Sequence, residues 1–201
     1  MKCYNRALEL NPNFAFTWNN KAVLLDQLGK HEEAVLFYNK ALELDPNIAL
    51  ARAENLCNQA KYKEAIEWYD KFLHIKPNDA IALMNKGLAL DNMQKFKEAI
   101  ELYNKALEIE PDSAIIWYSK GVALSRSESY NEAIECFDKS LALDPKDVRV
   151  WNSKGIALTN LGKCEEAIGA YDKALQIAPN YADACYCKGL AIDKLDGANK
   201  F

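Results

Sequence analysis

Apolar positions along the chain recur in two alternating patterns. The first is Trp151, Gly155 and Leu158, spaced i, i+4, i+7, and it returns as Trp117, Gly121, Leu124 and as Leu83, Gly87, Leu90. The second is Ala167, Tyr171 and Ala174, which returns as Ala34, Tyr38, Ala41 and as Ala99, Tyr103, Ala106. Both spacings trace one face of an α-helix. Small residues such as Gly155 and Ala167 let two helices approach closely, and Trp151 and Tyr171 fill the space around them. Prolines mark the period: Pro12, Pro46, Pro77, Pro111, Pro145 and Pro179 lie 34, 31, 34, 34 and 34 residues apart. Each sits in a short polar break, where proline ends one helix and suits the first turn of the next. A Leu-Gly-Lys break at Leu28 and at Leu161 separates paired helices, and acidic residues (Glu32 and Glu33, Glu165 and Glu166) open the second helix of those pairs at the positive end of its dipole. The pattern predicts antiparallel helix pairs, each too small to bury its face alone and stabilised by stacking on its neighbours.

These residues resemble the tetratricopeptide repeat (TPR) family: Trp-x2-x-Gly/Ala-x2-Leu, then Ala-x3-Tyr/Phe-x2-Ala and a closing proline, at a 34-residue period across essentially the whole chain. The resemblance implies an all-α fold, a right-handed α-solenoid of about twelve helices. The expected divisions are a lone second helix at 1–12, repeats at 15–48, 49–79 (short), 80–113, 114–147 and 148–181, and a lone first helix or cap at 182–201. One departure is systematic. Lysine stands before the glycine slot where the family usually has leucine: Lys21, Lys86, Lys120, Lys154 and Lys188. Such a lysine can snorkel, its stem covering apolar surface, or it can form a ladder of interhelical ion pairs or a basic row facing a partner. The Lys-Gly variant and the plain composition suggest a prokaryotic or archaeal array. The two lone helices would complete one repeat if chains met head to tail, a heterologous contact; otherwise the sequence is an excerpt of a longer array.

The family's ligands usually lie on the inner surface, which is lined by first helices. Carried over by position, Val23, Leu88, Val122, Ile156 and Leu190 form an apolar stripe. Beside it run Asn19, Met84, Tyr118, Asn152 and Tyr186, then Asn20, Asn85, Ser119, Ser153 and Cys187. Near the helix ends come Asp26 with Gln27, Asp91 with Asn92, Ser125 with Arg126, and Thr159 with Asn160. An apolar floor flanked by amides and hydroxyls suits a peptide or helix of a partner protein, because amides satisfy peptide groups and the floor buries anchors. The same side chains can equally pack between repeats. The family's carboxylate clamp requires Lys and Asn pairs, but the corresponding positions here hold Asn19 and Val23, then Ile81 and Asn85, so the clamp is missing. An asparagine ladder of the kind found in glycosyltransferase-linked arrays is matched only by Asn20 and Asn85.

Composition narrows the picture. A net charge of -4 with half of the residues hydrophobic gives no footprint of a nucleic-acid or anionic-membrane binder. No apolar run approaches the roughly 20 residues that span a bilayer, and the amphipathic start does not resemble a signal peptide. The six cysteines include no Cys-x-x-Cys pair and have no histidine nearby. They read as small buried hydrophobes in a reducing, cytoplasmic setting, with no metal or cofactor implied. His31 and His74 fall in different phases of the repeat, and all eight glycines are isolated. Cys164 stands in a slot that is aromatic elsewhere and Cys185 in the tryptophan slot, both as substituted packing residues. No catalytic constellation emerges. The expected role is a non-enzymatic interaction scaffold; the alternatives are a self-assembling array or a substrate-selecting segment of a larger enzyme.

The short repeat breaks the rhythm. Counting back from Tyr62, Leu56 and Ala53 take regular slots, Ala49 replaces the tryptophan, and Glu54 interrupts the apolar stripe between Val23 and Leu88. The deletion is expected at the helix start, just after Ile48, with Phe72 partly refilling the lost aromatic volume. The stripe should then divide in two, with most of its apolar floor on the C-terminal side.

Overall fold

The computed structural model describes residues 1–198, which form twelve α-helices. They are α1 (Lys2–Leu10), α2 (Ala15–Gln27), α3 (His31–Leu44), α4 (Asn47–Asn58), α5 (Tyr62–Ile75) and α6 (Ala80–Asn92). There follow α7 (Phe96–Ile109), α8 (Ala114–Arg126), α9 (Tyr130–Leu143), α10 (Val148–Asn160), α11 (Cys164–Ile177) and α12 (Ala182–Ala198). The fold is all-α, with the stacked helix-pair packing of a TPR solenoid. Two compact units are present, Met1–Ala82 and Leu83–Phe201. In the first, α2 packs on α3 and α4 on α5; in the second, α8 packs on α9, α10 on α11, and α12 on α11.

Every turn inside a pair uses the same device. A residue with positive φ (Gly29, Ala60, Gln94, Glu128, Gly162) lies two positions before the second helix. The next N–H then reaches back to a leucine carbonyl, as in Lys30 to Leu25 (2.9 Å) and Lys163 to Leu158 (3.0 Å). This is the Schellman closure. Gly29 and Gly162 adopt the left-handed conformation without a Cβ penalty; Ala60, Gln94 and Glu128 adopt it at a cost of about 1 kcal/mol each.

The pairs close through glycine and an aromatic ring. A Cβ added at Gly155 would sit 2.5 Å from the Tyr171 ring, at Gly121 2.6 Å from Phe137, and at Gly87 2.8 Å from Tyr103. All three rings are fully buried. The tryptophans fix the linkers as well as the core. Their indole N–H groups donate to the carbonyl of the proline six residues earlier: Trp18 to Pro12 (2.7 Å), Trp117 to Pro111 (2.8 Å) and Trp151 to Pro145 (3.0 Å).

The short repeat differs from expectation in detail. Asn47 and Ile48 are already helical and Pro46 is the N-cap, so the missing residues belong directly after Pro46, and α4 begins two residues ahead of the boundary expected at 49. With the linker gone, the Pro46 carbonyl accepts from the Ala49 N–H (3.0 Å), and an indole would have no linker carbonyl to hold. Trp68 and Phe72 on α5 are both buried, and Trp68 meets Tyr38 edge-on at 4.9 Å.

Four lysines of the row show two kinds of contact. Lys154 pairs with Asp138 (2.5 Å) and Lys188 with Asp172 (2.6 Å), joining the second helix of one repeat to the first helix of the next. Sixteen residues before Lys120 and Lys21 stand Asn104 and Asn5, and these two lysines lie over rings, Lys120 over Trp117 (5.3 Å) and Lys21 over Phe37 (4.0 Å), as Lys154 also does over Trp151 (5.7 Å). The cysteines also divide. All six are free, but only Cys136 and Cys164 are buried; Cys57 and Cys187 are half-buried, and Cys3 and Cys185 are exposed. The expectation that all six are core residues fails because the helix faces carrying Cys3 and Cys185 are uncovered.

Candidate functional site

In the second unit, the expected binding residues meet different fates. Leu88 and Ile156 are exposed (48% and 37%), and Tyr118, Val122, Met84 and Asn85 are half-buried. Asp91, by contrast, is buried at 3% exposure, and Asn152 at 7%. The Asp91 carboxylate is held by the Arg126 guanidinium, which also lies 5.1 Å from the Phe96 ring centre. Asp91 and Asn152 are therefore groups of the helix packing and not of an open surface. Burial outweighs the Arg126 charge and moves the Asp91 carboxyl above its ordinary range. Two further groups are taken up locally: Asn92 donates to the Leu88 carbonyl (2.9 Å) and Ser119 to that of Ile115 (2.8 Å). Ser153 is half-buried and Asn160 exposed.

One position recurs in both units. The residue twelve before the second-helix ring faces the tip of that ring. Tyr38 donates to Asp26 Oδ2 (2.8 Å), Thr159 Oγ1 lies 3.2 Å from the Tyr171 hydroxyl, and Cys57 Sγ lies 3.9 Å from that of Tyr69. Burial raises the phenol pKa of Tyr38, Tyr69 and Tyr103, and that of Tyr171 to about 12, so all remain hydrogen-bond donors. These pairs hold the rings of Tyr38, Tyr69 and Tyr171, whereas the Tyr103 hydroxyl is buried without a partner among the described residues.

The first unit holds an open cavity of about 590 Å³ between α2 and α4. Three of the expected residues line it: Val23, Asp26 and Gln27. The opposite wall comes from Arg52, Asn55, Leu56 and Gln59, and the rim from His31, Lys61 and Glu64. A smaller cavity of about 160 Å³ adjoins it, lined by Phe16, Asn19, Ile48 and Ala51 and sharing Arg52 and Asn55 with the first. Asn20 is exposed on the same helix. The walls are richer in amides than the apolar stripe suggested, because Asn55 and Gln59 stand where Ala89 and Met93 stand in the next repeat.

Sequence reasoning passed over Arg52, Asn55 and Gln59. The signal was present: counted back from Tyr62, Arg52 falls in the same slot as Lys86, Lys120 and Lys154. In the structure its guanidinium lies over the rings of Tyr38 (4.7 Å) and Trp68 (5.1 Å) and approaches Asp26 at 3.7 Å. Asp26 is more closely engaged by the Tyr38 hydroxyl and by His31 Nδ1 (3.2 Å). Among the described residues no group of histidine, cysteine and acidic side chains could hold a metal ion, and no helix is long and apolar enough to cross a membrane.

Comparison with known proteins gives a consistent picture. Curated protein sequences yield no match. Among solved structures, YrrB, described as a TPR protein with an unusual peptide-binding site, is 25% identical, with a TM-score of 0.71 over 92% of this chain and 97% of that one. The MamA protein, a second solved structure, is 23% identical, with a TM-score of 0.66 over 84% of this chain and 93% of that one, a likeness of fold alone. The first TPR domain of Spaghetti (RPAP3), solved bound to an HSP90 peptide, is 25% identical, with a TM-score of 0.56 over 58% of this chain and 93% of that one. Family models for the tetratricopeptide repeat match residues 15–48, 80–113 and 118–182, more than half of the sequence. The chain belongs to the tetratricopeptide repeat family.

Proposed function

We propose that the chain is a non-catalytic interaction module that captures a peptide or helical segment of a partner protein. The observation that carries this reading is the open, amide-lined cavity between α2 and α4, where Gln27 and the mutually bonded pair Gln59 and Asn55 (Gln59 donating to Asn55 Oδ1, 2.6 Å) present their remaining amide groups beside Val23 and Leu56. A peptide brings unpaired backbone groups and alternating side chains, and such a wall can satisfy both. The peptide-binding descriptions of YrrB and of the RPAP3 domain support the same class of ligand. The free thiols suit a reducing, cytoplasmic setting. Selection of dodecapeptides from a displayed library on the purified chain tests the reading. Selected peptides should bind the wild type, and Asn55→Trp, which fills the shared wall of both cavities from an exposed position, should abolish binding without changing the melting temperature. A failure to select any peptide, or binding indifferent to Asn55→Trp, would overturn it.

Self-association is the second reading, favoured by two uncovered faces. Helix α1 is amphipathic yet buries none of its residues, and α12 exposes Tyr186 (69%) and Leu190 (47%). Light scattering across a concentration series should show growth in mass that Tyr186→Asp suppresses; a constant monomer mass would rule it out.

A further inference from the structure

We infer that the cavity of the first unit takes a peptide through an aspartate or glutamate side chain, whose carboxylate is received by Arg52, with a neighbouring apolar side chain in the smaller cavity; this rests on the peptide-binding reading above. Arginine carries five N–H donors in a planar fork. Here the guanidinium makes one long ion pair, 3.7 Å to Asp26, and its Nε is buried without an acceptor. Asp26 is held more closely by others, its oxygens accepting from Tyr38 (2.8 Å) and facing His31 Nδ1 (3.2 Å). The Arg52 side chain is 24% exposed, so a carboxylate entering the cavity can meet its remaining N–H groups in a charge-assisted bond.

The arginine is also held ready. Cation–π contacts with Tyr38 and Trp68 hold the guanidinium in place, so little freedom is lost when a ligand docks. Arg52 and Asn55 are the residues shared by both cavities, which places the cationic fork at their junction. In the smaller cavity, Phe16, Ile48 and Ala51 make an apolar seat. Asn19 completes the lining beside them. The cavity's cations Arg52 and Lys61 are matched by Asp26 and Glu64, so it holds no excess positive charge for a doubly charged phosphate and suits a singly charged carboxylate better. The ligand is then a short motif of an acidic residue next to an apolar one.

Fluorescence anisotropy on the purified chain tests this with fluorescein-labelled heptapeptide pools whose central residue is Asp, Glu, Asn, Gln or phosphoserine, the flanks being randomised. The Asp and Glu pools should bind at least tenfold more tightly than the Asn and Gln pools, and 0.5 M salt should erase most of the difference. Arg52→Gln should remove the acid preference, and Arg52→Lys, which keeps the charge but loses the fork, should retain part of it. The pool comparison on the wild type needs no variant, so a misfolded Arg52→Gln leaves the test intact. Equal binding of Asp and Asn pools overturns the acidic anchor and leaves the peptide-binding reading standing. Tightest binding by phosphoserine overturns the choice of carboxylate. Binding of no pool overturns the peptide-binding reading and this inference together.

Discussion

Adding one methyl group to two glycines of adjacent helices should move stability in opposite directions. Gly155 on α10 and Gly169 on α11 both lie inside helices, where replacing glycine by alanine gains about 1 kcal/mol from backbone entropy. At Gly169 nothing lies within 4 Å of the added Cβ, so that gain is realised in full. At Gly155 the Cβ would stand 2.5, 2.7 and 2.8 Å from three consecutive atoms of the Tyr171 ring. That ring is 1% exposed, and its hydroxyl is held 3.2 Å from Thr159 Oγ1, so it cannot swing aside without breaking a second contact. Overpacking of this kind costs about 1–3 kcal/mol, which outweighs the entropic gain and leaves Gly155→Ala destabilised by up to about 2 kcal/mol. For a chain of this size each kcal/mol moves the melting temperature by about 2–4 °C. The two variants should therefore separate by several degrees on either side of the wild type, measured by circular dichroism melts and urea titration. If Gly155→Ala melts above the wild type, as Gly169→Ala should, the close ring-to-backbone approach is not what selects glycine at that position.

Two further predictions follow from local chemistry. Asp147 caps α10 by accepting from the Arg149 N–H (2.9 Å), and its carboxyl is held below its ordinary range, chiefly by the Arg149 side chain. Its contribution is thus present above the unfolded carboxylate pKa of about 4 and is lost as pH falls through the folded value; Asp147→Ala should cost about 1 kcal/mol at pH 7 and progressively less in acid, by urea titrations at pH 7 and below pH 4, and a gap constant across that range would contradict the capping role. Amide exchange should be faster over residues 47–60 than over 114–126, because α8 is tied to its linker by the Trp117–Pro111 bond (2.8 Å) and α4 has Ala49 in that slot; equal protection would show that Trp68 and Phe72 replace the missing contact completely.

The helices were legible because the packing that holds them is periodic. Gly155 and Tyr171 meet within one repeat, and a pattern of small and aromatic residues at fixed spacing reports that meeting directly. The ion pairs of Lys154 and Lys188 were half legible: the lysine row was visible, but which members pair depends on whether aspartate or asparagine stands sixteen residues earlier. Asp91 was misread as a surface group because its partner, Arg126, lies 35 residues away in the following repeat. Assigning residues to rows treats equivalent positions as alike, and a neighbour supplied by the next repeat can bury one member while leaving another open. Arg52 was missed for a related reason. Its slot could be found by counting, but its character comes from cation–π contacts with rings of two different second helices, one of them Trp68, which no motif position announces.

The short repeat ties these observations together. Losing the linker and losing the tryptophan are one change, since the indole elsewhere donates to a linker carbonyl that is already engaged by Ala49 here. With the proline moved to the N-cap, α4 starts without a linker of its own, and small residues Ala49 and Ala51 replace bulk on its sides. The aromatic volume reappears on α5 as Trp68 and Phe72, and Trp68 with Tyr38 supplies the platform on which Arg52 lies. Both cavities of the first unit are lined by α4. The irregular repeat is therefore where the regular packing gives up bulk and gains a cation held between two rings, and the proposed binding role rests on that exchange more than on the apolar stripe shared by the regular repeats.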